Sequence, residues 1–212
     1  MSQHSEACCR IPPIMDDNYQ PKGTYIELNS TKTYVTGPAD AERAILSGAD
    51  ILADSDADRK YQYPPTDDEK KTKLGKWFES SARGFLEAAQ KNNPKINSWG
   101  IIGYGWGGKM ASVLACDEEP LFKVAVHTSP AMIDAGDGAN VKISVMLLAS
   151  KDESAEEVKA YGDSLKVPKH VGVFDDQVHG FMSARADLKD AQVKAQYERG
   201  YKLSLEFFHR HL

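Results

Sequence analysis

The hydrophobic pattern changes period along the chain. Apolar and polar residues alternate through Thr24-Tyr25-Ile26-Glu27-Leu28 and again through Lys32-Thr33-Tyr34-Val35-Thr36, around Asn29-Ser30, which predicts a hairpin whose second strand is closed by Gly37-Pro38. Residues 122–127 and 141–149 are continuous apolar runs instead, the pattern of parallel strands covered on both faces; 96–102 reads as a strand leading into a turn, and 170–174 as a last strand. Helical spacing separates these runs. Thr66 and Glu69 form a capping pattern ahead of a stripe made by Leu74, Trp77, Phe78, Phe85 and Ala89, which Asn92-Asn93-Pro94 brings to an end. Met110, Val113 and Leu114 mark a second helix, and Ser154 with Glu157 caps a third carrying Val158, Tyr161 and Leu165. Val193, Tyr197, Tyr201, Leu205, Phe208 and Leu212 recur every three or four residues, an amphipathic helix lying over the sheet. One stretch breaks the rhythm: Ala44-Ile45-Leu46 starts as a strand but runs at once into Ser47-Gly48 and the acidic residues 54–58. The pattern therefore predicts one α/β domain over 23–212, mostly parallel in its sheet with helices on both faces. An extended, proline-containing arm over 1–22 precedes it.

Composition narrows the function classes. With 212 residues, 41% of them hydrophobic, the chain is the size of one α/β domain and buries a core without staples. A net charge of −5 offers no basic footprint for nucleic acid, and no apolar run approaches the roughly 20 residues of a membrane span. Cys8, Cys9 and Cys116 are odd in number and include an adjacent pair, which points to a reducing compartment, and the N-terminus lacks the blocks of a secretory signal, so a cytoplasmic location is expected. His4 lies near Cys8 and Cys9 without C-x-x-C spacing, so no metal site is expected there. A small-molecule substrate is the expected partner; oligomeric state is not legible.

The candidate chemistry sits where the run Ile101-Ile102 meets Gly103-Tyr104-Gly105-Trp106-Gly107-Gly108-Lys109. A G-x-(Ser/Cys)-x-G turn between strand and helix lifts its middle residue above the sheet as a nucleophile. Here the middle residue is Gly105, so the frame is present and the attacking atom is not. Downstream, Asp152 follows one strand and His179, in Val178-His179-Gly180-Phe181, follows the next; elbow, acid, histidine is the chain order of α/β-hydrolase triads. Both then rise to the carboxyl edge of the sheet, where ligands bind. Taken singly, Asp152 is an ordinary turn acid and His179 an ordinary loop histidine. Their joint placement after the elbow favours the acid and base roles. Cys116 and Ser112 lie on the body of the following helix, Cys116 about 15 Å along its axis, and do not replace the missing nucleophile. His127 ends a strand at the same edge, and Lys70, Lys71, Lys73 and Lys76 form a solvated helix face.

These motifs, together with Ala7-Cys8-Cys9-Arg10-Ile11-Pro12-Pro13 and the Tyr34-Val35-Thr36-Gly37-Pro38 strand end, resemble the dienelactone hydrolase family, particularly its fungal members. The resemblance spans most of the chain except roughly residues 45–63. It implies an α/β-hydrolase fold and cofactor-free opening of lactones or related esters by a cysteine, an aspartate and a histidine. It places the acid on Asp152, the base on His179 and the nucleophile's place on Gly105. For Arg185 two readings stay open, the family's arginine that holds an acidic substrate's carboxylate and a solvated surface arginine; for Tyr104 and Trp106 the two are flanking the pocket mouth and packing as buried aromatics. The segment from Ala44 to Tyr63 is too short for the strand, oxyanion loop, helix and further strand that the family has there, so part of the central sheet is expected to be lacking. Three readings stay open: a hydrolase of a small lactone, ester or polyketide-type carbonyl compound, weakened or altered by Gly105; a catalytically inactive relative that binds a small molecule or a partner; and a truncated isoform that does not fold stably.

Overall fold

A computed structural model describes residues 13–14, 20–48 and 82–212. The hairpin forms as the alternation predicts: β1 (Thr24–Leu28) pairs antiparallel with β2 (Thr31–Val35), Thr24 opposite Val35 and Leu28 opposite Thr31. Asn29 and Ser30, at φ 48° and 60°, supply the two left-handed residues that a tight hairpin turn requires. This pair stands as its own two-stranded sheet.

The main sheet is five parallel strands in sequential order: β3 (Arg43–Gly48), β4 (Ser98–Tyr104), β5 (Val124–Thr128), β6 (Ser144–Ser150) and β7 (Lys169–Phe174). Residues 82–92 (α1) are helical between β3 and β4, and α2 (Trp106–Ala115), α3 (Ala135–Asn140) and α4 (Ala155–Ser164) join the later strands, with α5 (Ala191–His211) after β7. Strands β4, β5 and β6 are almost wholly buried, as the continuous apolar runs of β5 and β6 predict for those two, whereas β3 alternates between exposed and half-buried. The short strand beginning at Ala44 is therefore real. It pairs directly with β4, Arg43 opposite Ser98 and Gly48 opposite Gly103, with no strand between them. Ile45 remains 41% exposed.

Side chains on the two faces of the sheet form two separate cores. On one face Ile101, Ala125, Val145 and Leu147 meet Leu86 and Ala89 of α1, Ala111 and Leu114 of α2, and Val158 and Tyr161 of α4. On the other, Ile102, Val124, Val126, Met146 and Leu148 meet Phe181, Met182, Phe207 and Phe208. Among the described residues α5 is the only helix on that second face. Its buried line runs through Gly200, Ser204, Phe207 and Phe208, and Leu205, placed in the apolar stripe by spacing alone, is 50% exposed. Ser154 caps α4 by accepting from the Glu157 amide, and Asp190 caps α5 by accepting from Gln192 and Val193. The capping pattern at Thr66 and the residues Leu74, Trp77 and Phe78 lie outside the described residues, as does the lysine group at 70–76. So does most of the predicted arm, of which Ile14 donates its amide to the Ala184 carbonyl.

Candidate active site

Strand β4 passes into α2 through a sharp elbow at Gly105. Gly105 sits at φ 52°, ψ −112°, a conformation that side-chain-bearing residues adopt only under strain. Gly103 is required by space, because a Cβ there would lie inside the Gly107 carbonyl group. Two main-chain bonds fix the elbow to the turn after β5: the Gly105 amide donates to the Thr128 carbonyl at 3.1 Å, and the Gly105 carbonyl accepts from Ala131 at 3.0 Å. None of these contacts needs a side chain at position 105.

The histidine loop is held from the opposite direction. His179 follows β7, is 1% exposed, and has its ring Nδ1 at 2.7 Å from Glu153 Oε1. The other Glu153 oxygen accepts the amide of Ser150, the last residue of β6. Asp152, to which the sequence assigned the acid's role, accepts the main-chain amide of His179 at 2.7 Å instead. The ring's partner is thus displaced by one residue from the sequence assignment. The physical reason is the turn after Ser150: Ser150 Oγ accepts the Asp152 amide and orients Asp152 towards the loop backbone, while the longer, buried Glu153 side chain folds back under it to the ring. Two carboxylates therefore converge on one histidine, one on its ring and one on its backbone.

Ser129 joins the two halves. It is 1% exposed, lies at φ 42°, and its Oγ accepts the amide of Gly180, the residue after His179, at 3.2 Å. Sequence reasoning named neither Ser129 nor Glu153 as site residues. The signals were a hydroxyl ahead of a proline at a strand end and a second carboxylate next to the first, both of which are common in turns.

The remaining predicted residues divide. Arg185 is brought to the site: it is 4% exposed, and its Nη1 donates to the His179 carbonyl at 3.4 Å, so it is not a solvated surface arginine. Tyr104 does not flank the pocket mouth. Alternation along β4 turns its ring onto the α5 face, where its hydroxyl meets that of Tyr201 at 2.8 Å and burial pushes its pKa up to about 12. Trp106 is buried as the first residue of α2. His127, on the α2 face of β5, is buried with Nε2 lacking a hydrogen-bond partner. Burial and then the nearby Lys109 charge hold its pKa down to about 3, so it is neutral at physiological pH. It lines a small cavity with Lys109, Ser112 and Tyr161, behind the elbow. Lys109 is engaged by Asp137 at 2.5 Å and by the Met132 carbonyl. The Cys116 thiol is pushed up to about 11, first by burial and then by Asp137, which keeps it protonated and unreactive. No group of metal-ligating side chains occurs among the described residues, and none of their helices is long and apolar enough to cross a membrane.

Known proteins place this arrangement in context. The sequence model of the Dienelactone hydrolase family matches residues 53–212. Two uncharacterized AIM2 family proteins of Schizosaccharomyces pombe are similar, one 30% identical over 128 residues, covering 58% of this chain and 51% of the relative. The other is 32% identical over 114 residues, covering 51% and 45%. The chain thus spans about half the length of the curated relatives it matches. Among solved structures, an esterase of Pyrococcus furiosus superposes with a TM-score of 0.59 at 13% identity, covering 94% of this chain and 97% of the esterase. A dienelactone hydrolase from Anabaena variabilis gives 0.53 at 14%, covering 91% and 98%. At such identities the structural likeness shows the α/β-hydrolase fold.

Proposed function

The chain belongs to the dienelactone hydrolase family, and from that starting point we propose that it hydrolyses a small ester or lactone slowly, using His179 to activate water. The observation that carries this reading is the buried 2.7 Å pair between His179 Nδ1 and Glu153, in a loop that Ser129 ties to the turn bonded to Gly105. In this scheme Glu153 fixes the imidazole's tautomer and stabilises its protonated form, and Asp152 holds the loop through the His179 amide. The imidazole takes a proton from water as the hydroxide oxygen bonds to the acyl carbon. It returns that proton to the leaving alkoxide when the tetrahedral adduct collapses. The positive end of the α2 dipole, aimed at the elbow, favours the negative oxygen of that adduct. Gly105 supplies no heteroatom, so no acyl-enzyme forms there. Arg185, buried against the loop, supports an acidic substrate whose carboxylate it would hold. The small-molecule partner, the cytoplasmic location and the absence of a cofactor belong to the same proposal.

The deciding experiment measures turnover of activated esters and small lactones by the unsubstituted protein, by His179→Ala and by Gly105→Cys. The proposal expects a low rate that His179→Ala abolishes and that Gly105→Cys raises at least about a hundredfold. No rate in either the unsubstituted protein or the thiol variant would end it. The glycine at the elbow tip also favours a second reading, a non-catalytic binding protein, in which His179→Ala removes no activity because there is none to remove.

A further inference from the structure

The turn after β5 is hydrogen-bonded both to Gly105 at the elbow tip and to the residue that follows His179. Its main chain holds Gly105 through Thr128 and Ala131. It reaches the histidine loop through a side chain, Ser129 Oγ accepting the Gly180 amide at 3.2 Å. Ser129 is also held at φ 42°, where a side chain costs about 1 kcal/mol relative to glycine. A residue that served only the turn would be better as glycine, because glycine adopts this conformation without strain. What serine adds is the hydroxyl, and the hydroxyl reaches the loop that carries His179.

We infer that Ser129 is a positioning residue that sets the placement of the His179 ring relative to the elbow tip. This deepens the proposed hydrolytic reading and rests on it. Its Oγ fixes the backbone immediately after His179, Asp152 fixes the amide of His179 itself, and Glu153 fixes the ring. The last two tie the loop to the end of β6, whereas Ser129 ties it to β5, the strand directly beside the elbow strand β4. Without that hydroxyl the histidine stays paired with its carboxylates but loses its bond to the element that holds Gly105.

An introduced thiol at the elbow tip reports this placement directly. A cysteine beside a well-placed imidazole ionises below its free value of about 8.5, and one that the imidazole does not reach ionises near it. The experiment uses Gly105→Cys in a Cys8→Ser, Cys9→Ser background and follows alkylation rate against pH; Cys116, with its thiol pushed up to about 11, stays silent below pH 9. The expected midpoint lies at least about one pH unit below 8.5, and adding Ser129→Gly moves it back up by about one unit or more, while Glu153 still holds the ring. Ser129→Gly relieves the turn's backbone, which favours a folded variant, and a cooperative thermal transition verifies this. A second measurement needs no substitution: hydrogen exchange at the Gly180 amide is slow if the Ser129 bond holds the loop. A low midpoint that Ser129→Gly leaves unchanged overturns this inference alone. A midpoint near 8.5 in Gly105→Cys itself overturns the hydrolytic reading and this inference with it. Fast exchange at Gly180 overturns the bond on which the inference stands.

Discussion

The elbow and the histidine loop are built on opposite principles. At the elbow the shape comes from main-chain bonds and from the absence of side chains: Gly103 makes room for Gly107, and Gly105 is bonded through its own amide and carbonyl. In the histidine loop the shape comes from side chains: Glu153 on the ring, Asp152 and Ser129 on successive backbone amides, Arg185 on the His179 carbonyl. An elbow of this kind keeps its geometry without any side chain at position 105, because main-chain bonds hold it. A loop of the second kind loses its geometry one residue at a time. A glycine-tipped elbow held by its main chain and a histidine held by several side chains therefore respond differently to substitution.

Substitutions can break this contrast in order of size. Gly103→Ala forces a methyl group into the Gly107 carbonyl, and a loss of about 4 kcal/mol or more, or failure to fold, is expected in urea unfolding. Glu153→Ala strips the buried His179 ring of its carboxylate and is expected to cost about 3 kcal/mol. Asp152→Ala, which frees one amide, is expected to cost about 1 kcal/mol; equal losses would remove the distinction between the two carboxylates. Acid acts on the elbow side through His127. Its pKa is held near 3 in the folded protein against about 6.5 unfolded, so its contribution is complete above pH 6.5 and is lost as pH falls towards 3. At pH 5 that amounts to about 2 kcal/mol, and a His127→Leu variant is expected to lose this part of the pH dependence. Gly105→Ala adds a Cβ at φ 52° and should cost about 1 kcal/mol without disturbing the His179 loop, a result readable from unfolding and from the ring-proton NMR signals together. Smallest of all, Cys116 should alkylate roughly a hundredfold more slowly at pH 8 than an ordinary thiol, and Cys116→Ser should leave turnover unchanged.

Strands β5 and β6 were legible because burial on both faces leaves a continuous apolar run, and the hairpin because Asn29-Ser30 separates two alternating segments. The elbow was legible for the same reason that it is rigid, since its glycines are steric requirements and appear in the sequence as themselves. The acid on the histidine ring was not. Asp152 and Glu153 are adjacent carboxylates in one turn, and which of them reaches the ring is decided by side-chain length and by the bond from the Asp152 amide to Ser150, neither of which leaves a periodic trace. For Tyr104 the sequence left a pocket-mouth residue and a packed aromatic open, because its position next to Gly105 says only that it is near the elbow, while strand alternation puts it in the core on the α5 face. Leu205 failed for a related reason: its spacing fits the helix stripe, but α5 turns Gly200, Ser204, Phe207 and Phe208 inward and leaves Leu205 in water.

Among the described residues the two faces of the sheet are covered at different points of the chain, which has a consequence for biosynthesis. Helices α1, α2 and α4 come with the strands they cover, so one core closes progressively as the polypeptide leaves the ribosome. Among the described residues the opposite core receives Phe181 and Met182 before α5, and is completed by Phe207 and Phe208 only once α5 has been translated. The final twenty or so codons of α5 therefore decide whether the growing polypeptide closes that core or presents it to a chaperone.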